Sequence, residues 1–202
     1  MALLLSLLTA LVLLSSGLGG TLGCDLLEDH VLLSRETLVL LRQMSTISPL
    51  FCLKDRQHFR FPRAAVDGSQ AQKAQALSVL HQMLQQISDL LSTENSSVPW
   101  NTTLVDQLRT GLHRQLEALD TCWAREMGEE GPALATQGPA LATQGPALAL
   151  KRYFQGIRLY LKEKQYSDCA WEAVRVEIMR SFSSTRALQE RLRNEDGDVG
   201  SP

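Results

Sequence analysis

The sequence predicts an all-α protein, five helices in an up-up-down-down bundle with two long crossovers and two disulfides. Three observations predict it. Apolar residues recur every three or four positions in five separate segments. The connections between those segments run long, short, long, short. The chain also carries an even number of cysteines, four, behind an apolar leader.

The leader is Met1 to Gly23, with a leucine-rich run followed by Ser, Gly and Thr. It is too short to span a membrane comfortably. Thr21 and Gly23 take the −3 and −1 positions for cleavage before Cys24, the pattern of a signal peptide. The n-region has no Lys or Arg. A lipoprotein signal cleaved before Cys24 is the rival, and Thr21 in place of an apolar residue counts against it. No second apolar run approaches the ~18 residues of a membrane helix, so the expected product is secreted, with no membrane insertion.

The first helix is expected from Leu26 to about Met44, its stripe formed by Leu27, Val31, Leu38, Leu41 and Met44. An irregular stretch, 45 to 70, holds Pro49, Cys52, Pro62 and Gly68. The second helix covers about Gln70 to Leu91, with Ala76, Leu77, Leu80, Leu84, Ile87 and Leu91 on one face. A short polar link, Ser92 to Trp100, precedes a third helix that Asn101 or Thr102 caps. Leu104, Leu108, Leu112, Leu116 and Leu119 mark its stripe. Residues 131 to 151 then read GPALATQ, GPALATQ, GPALALK. A Gly-Pro pair every seven residues breaks helices, so this tandem duplication reads as a flexible surface loop.

The fourth helix starts near Leu150, with Tyr153, Phe154, Ile157, Tyr160 and Leu161 inward. After a turn at Tyr166–Asp168 the fifth runs from about Cys169 to Leu192, its stripe formed by Trp171, Val174, Ile178 and Phe182. The domain is thus expected over 24–193, with residues 194–202 a disordered acidic tail. Short links make antiparallel neighbours, and long crossovers let consecutive helices run parallel, the topology of helical cytokines.

A net charge of −2 gives no basic excess for nucleic acid. The cysteines Cys24, Cys52, Cys122 and Cys169 form no CxxC, and spacing alone leaves three disulfide pairings open. His30, His58, His81 and His113 are scattered, without a paired-ligand spacing. No nucleophile elbow, phosphate loop or dinucleotide fingerprint occurs. The expectation is therefore no enzyme, no cofactor and no metal. Asn95-Ser-Ser and Asn101-Thr-Thr are N-glycosylation sequons. On the last helix Glu172, Arg175, Glu177, Arg180, Arg186 and Glu190 fall off the apolar stripe. Two accounts fit them: a solvated face with i,i+3 and i,i+4 ion pairs, or, with Val176 and Met179, an arginine-ringed protein-binding patch.

CAWEAVRVEIMRSFSSTRALQERLR, Cys169 to Arg193, closely resembles the C-terminal helix of type I interferons. FCLKDR at 51–56, GSQAQKAQALSVLHQMLQQI at 68–87, YFQGIRLYLKEKQYSDCAWE from Tyr153 and the Cys24-Asp25-Leu26 start agree with it. The resemblance spans nearly the whole chain after the leader and is nearest to the omega group, with touches of the tau type. It implies the pairing Cys24–Cys122 and Cys52–Cys169. It also implies a monomeric secreted cytokine that bridges the two chains of the type I interferon receptor and triggers JAK-STAT signalling and an antiviral, antiproliferative programme.

Carried over by position, the high-affinity receptor chain is expected to meet Leu53, Asp55, Arg56, Arg175, Val176, Met179, Arg180 and Ser183. The low-affinity chain is expected on the side of the second to fourth helices, with Lys151 at a position that the family fills with a basic residue. Val176 stands where alpha types carry alanine, and the GPALATQ duplication lengthens a loop the family keeps shorter. Asn101 matches an omega-like glycosylation position; Asn95 is less usual. The rival functions are another helical cytokine with a different receptor, or an amphipathic-helix lipid carrier.

Overall fold

The computed structural model describes residues 26–48, 50–66, 73–92, 99–129 and 144–198. The leader, Cys24, Asn95, the first GPALATQ copy, the second as far as Thr143, and the last four residues lie outside these ranges. Five long helices make up the described fold: α1 Leu26–Gln43, α2 Lys73–Leu91, α3 Thr102–Glu129, α4 Gln144–Glu163 and α5 Asp168–Asp198. A 3-10 turn, Leu53–Asp55, and one helical turn, Arg63–Val66, interrupt the first long connection. No strand occurs among the described residues.

Contacts between side chains give the helix directions. Ser34 of α1 meets Gln115 of α3, while Thr37, one turn later, lies against Gly111; the two helices are antiparallel. His81 faces Asp120, and the Leu91 carbonyl meets Arg109, so α2 also opposes α3. Leu41 and Ser45 meet Arg175 and Glu172 in reverse order, and Tyr153 and Tyr166 meet Ser181 and Trp171 in reverse order. Helix α5 thus opposes both α1 and α4. The helices α1, α2, α3 and α5 form the expected up-up-down-down set, and α4 is the additional helix, parallel to α2.

Three boundaries differ from the sequence reading, each for a local reason. Helix α3 continues ten residues past Leu119, because nothing between Leu119 and Gly128 breaks it and Cys122 carries on its buried stripe. Helix α4 starts at Gln144, so the third Gly-Pro pair lies inside the helix, not in a loop. Gly145 and Pro146 fall in its first turn, where the backbone N–H groups have no intrahelical acceptor and proline costs nothing. Helix α5 runs through Asn194 to Asp198, residues read from the sequence as part of a disordered tail.

The turn between α4 and α5 is closed by the backbone. Tyr166 N–H donates to the Leu161 carbonyl and Gln165 N–H to Lys162, the paired bonds of a Schellman cap. Gln165 and Tyr166 both take left-handed φ values, 50° and 53°. This tight reversal lays α5 back along α4.

Helix α5 packs against α1, α2, α4, the 3-10 turn and the short helical turn. A helix enclosed on so many sides buries a wide arc of its circumference and leaves a narrow stripe, Ala173, Val176, Arg180 and Ser183, open to different degrees. Trp171, Val174, Ile178 and Phe182 are buried as predicted, with Ala170 and Leu188 beside them. Trp171 meets Trp100 edge-on, with ring centroids 5.2 Å apart.

Candidate receptor-binding face

The irregular stretch after α1 is fixed to α4 and α5 along its length. Cys52 and Cys169 are joined in a disulfide that spans 117 residues of sequence. Closing so long a loop contributes about 4 to 5 kcal/mol in the chain-entropy account. Beyond it, Phe59 and Phe61 meet Tyr160 and Tyr153 of α4 edge-on, with centroids 5.1 and 5.3 Å apart. The Tyr160 hydroxyl donates to the Asp55 carbonyl oxygen, and Lys164 pairs with the Asp55 carboxylate at 3.2 Å. Burial, helped by the nearby charges of Asp55 and Glu163, pushes the Tyr160 hydroxyl up to about 12, so it stays a donor across the physiological range.

This pinning sets the 3-10 turn beside the middle of α5. Cys52, Arg56, Gln57, Ala173, Val176 and Arg180 line a cleft of about 150 Å³, with Glu172 and Glu177 also on its wall. Leu53, the residue after Cys52, is 53% exposed, and Leu50 and Phe51 just before that cysteine in the chain are also strongly exposed. Arg56 and Ser183 are exposed, and Val176 and Met179 half-buried. Sequence positions more than a hundred residues apart thereby meet in one apolar, arginine-edged patch, the composition of a protein-binding surface.

Two of the anticipated contact residues are placed differently. Arg175 is only 5% exposed. Its Nε and Nη2 donate to the two carboxylate oxygens of Glu172 at 2.8 and 2.6 Å, and Nη1 donates to the Leu41 carbonyl at 2.6 Å and to the Met179 sulfur at 3.1 Å. This arginine ties the end of α1 to α5 and props Met179 from beneath. Asp55 is half-buried, and its carboxylate faces Lys164.

The solvated-face account fails for Glu172, Arg175 and Glu177, all nearly fully buried. The Tyr153 hydroxyl donates to Glu177 Oε1 at 2.7 Å, and the Arg180 guanidinium donates to Oε2. Burial, above all, raises the Tyr153 hydroxyl far above its ordinary range, with Ser181 opposing and Glu177 reinforcing the shift. Arg180, 42% exposed at its side chain, is therefore both a rim residue and the cation facing a buried carboxylate. The signal for this was the very placement of charge off the narrow apolar stripe. It becomes legible only once α1 and α4 are known to flank α5 on both sides.

Lys151 is exposed on α4, away from this cleft. Around the bundle, α2 lies between α3 and α4 and packs on both, opposite the α1 side of α5. Asn101 is exposed, and its Oδ1 accepts the N–H groups of Thr103 and Leu104 at 2.9 and 3.3 Å, making it the N-cap of α3. Cys122 is buried and disulfide-bonded; the anticipated Cys24–Cys122 bridge lies outside the described residues. His81 and His113 pair with Asp120 and Glu117 on the surface, and no metal-binding cluster occurs among the described residues. No described helix is long and apolar enough to cross a membrane.

Comparison with known proteins agrees with this architecture. Zebrafish interferon 2 superposes with a TM-score of 0.61 at 25% identity, over 75% of this chain and 94% of its own. Zebrafish interferon 1 does so with a TM-score of 0.66 over 84% and 99%, its 22% identity bearing on the fold alone. Interferon omega-2 of Equus caballus is 63% identical over 202 residues, all of both chains. Interferon omega-1 of Homo sapiens is 59% identical over 201 residues and interferon tau of Cervus elaphus 56% over 202, again with full coverage. The model of the interferon alpha/beta domain matches residues 26–192, from the first residue of α1 to within six of the last residue of α5. With the bundle, the loop staple and this match in agreement, the chain belongs to the interferon alpha/beta family, whose members are cytokines, not enzymes.

Proposed function

We propose that this protein is a secreted, monomeric type I interferon that bridges the two chains of the type I interferon receptor and so activates JAK-STAT signalling. The observation that carries the reading is the loop–α5 patch. Leu53, Arg56, Val176, Met179, Arg180 and Ser183 lie on two elements that the Cys52–Cys169 bridge holds together. A patch with an exposed leucine, half-buried methionine and valine, and arginines at its margin suits the high-affinity receptor chain. Arg175 and Asp55 serve that surface by positioning it, since their charged groups are spent inside the protein.

The low-affinity chain takes the α2–α3–α4 side, with Lys151 among its contacts. Two separate faces on one rigid bundle allow both chains to be held at once, and that juxtaposition brings their associated kinases together. The leader directs the chain to the secretory pathway, where the disulfides form and Asn101 and Asn95 meet the glycosylation machinery.

The two faces are separable by experiment. Arg56 is exposed, and its side chain has no hydrogen-bond or ion-pair partner among the described residues. Arg56→Ala is expected to weaken binding to the isolated high-affinity ectodomain by about 2 kcal/mol, roughly 30-fold. Its melting temperature should stay that of the parent. Lys151→Ala should leave that affinity untouched and weaken only the other ectodomain. Surface plasmon resonance with each ectodomain decides the matter; parental affinity of Arg56→Ala for both would overturn the assignment.

A further inference from the structure

A groove of about 730 Å³ runs between α1 and α3, and none of the named receptor-contact residues lines it. Leu33, Val39 and Leu40 make it apolar, and Val39 is 48% exposed there. Arg35, Glu36 and Arg114 stand around it, and none of the three has a hydrogen-bond or ion-pair partner among the described residues. Thr103, the third residue of the Asn101 sequon, lines the same groove. From there to Arg114 the groove follows α3 for about 16 Å at ~1.5 Å per residue.

We propose that the first sugars of an N-linked glycan on Asn101 lie in this α1–α3 groove. The inference rests on the secretory reading above, because only a secreted chain meets the transferase. Its geometry is set by the cap. Asn101 Oδ1 is held by two backbone N–H groups of α3, which fixes the plane of the side-chain amide. Nδ2, the atom that takes the sugar, has no hydrogen-bond partner among the described residues.

Transfer from a lipid-linked oligosaccharide pyrophosphate forms a bond between Nδ2 and the anomeric carbon of the first sugar. Nδ2 gives up one proton, and the lipid pyrophosphate leaves with the electron pair of the broken C–O bond. Oδ1 takes no part, so the cap survives the modification. The amide is anchored on the backbone N–H of Thr103, a residue of the groove wall, and the glycan therefore starts beside the groove. Pyranose rings carry an apolar C–H face and a hydroxylated edge, the complement of an apolar floor with a charged rim. The competing occupant is a second copy of the chain.

The test uses Asn95→Gln protein secreted from mammalian cells, so that Asn101 carries the single glycan. Peptide mass spectrometry measures occupancy. Hydroxyl-radical footprinting then compares the intact protein with the same sample after enzymatic deglycosylation under native conditions, which leaves an aspartate able to cap α3. Oxidation of the tryptic peptide Glu36–Arg42, holding Val39 and Leu40, is expected to rise about threefold as covered side chains reopen. Leu50 and Phe51, exposed on the distant loop, should be unchanged. An unmodified Asn101 would overturn the proposal, as would equal oxidation of the peptide in both forms. Low oxidation in both forms with a dimer in sedimentation would assign the groove to a second copy instead. A receptor-signalling reporter run on the same samples keeps failure of the interferon reading apart from failure of the seat.

Discussion

Arg175 and Arg180 sit five residues apart on α5 and answer to different physics. Arg175 neutralises Glu172 in a nearly water-free contact and holds the end of α1. Its removal leaves a buried carboxylate without its cation, and Arg175→Ala is expected to destabilise the fold by about 3 to 5 kcal/mol, read as a shift in the chemical denaturation midpoint. Arg180 is partly exposed, and Glu177 keeps the Tyr153 hydroxyl when Arg180 is lost. Arg180→Ala should therefore cost the fold only about 1 to 2 kcal/mol. A similar stability loss for the two variants would contradict this division. Weakened receptor binding in Arg175→Ala then reports a displaced Met179 as much as a lost contact. Tyr160 gives a pH test at the same scale. Its folded value of about 12 lies above the ordinary tyrosine value of 10.0, so the neutral hydroxyl contributes stability that is complete below pH 10 and lost as pH rises toward 12. Tyr160→Phe is expected to remove that part of the alkaline loss, measured as melting temperature across pH 9 to 12; an unchanged alkaline profile would show that ionisation of the buried Tyr160 does not govern it.

At the scale of elements, α1 and α3 are set in register by a buried polar triad. Gln115 accepts from the Ser34 hydroxyl at 3.1 Å and donates to Thr37 at 2.8 Å, all three side chains being buried. A one-residue slip between the helices would leave these groups unpaired in an apolar interior, which costs more than any single contact there returns. Gln115→Leu is expected to lower unfolding free energy by about 1 to 3 kcal/mol in urea; a neutral or stabilising result would show that the apolar residues alone set the register. Helix existence and the inward stripes were legible from periodicity, because Leu80, Leu84, Ile87, Leu108 and Leu112 are all fully buried. The boundaries were not. Gly145-Pro146 breaks a helix interior but is tolerated in a first turn, and only the tertiary setting decides which it occupies. Likewise Glu172 and Glu177 read as solvent-facing because one apolar stripe was expected on a helix that neighbours cover on several sides.

For the whole molecule, the staple and the aromatic contacts turn an irregular connection into part of a rigid face. The residues of that face were legible from the resemblance, whereas the inward roles of Arg175 and Asp55 and the anchoring by Tyr160 and Lys164 needed three-dimensional neighbours. In the proposed function the loop–α5 patch and the α2–α3–α4 surface each take one receptor chain. The most direct measurement is an interferon-response reporter in receptor-positive cells treated with the secreted protein, repeated with an antibody blocking each receptor chain in turn. The account predicts a strong response that either antibody alone abolishes. A response that survives blockade of one chain, or no response in unblocked cells, would contradict it.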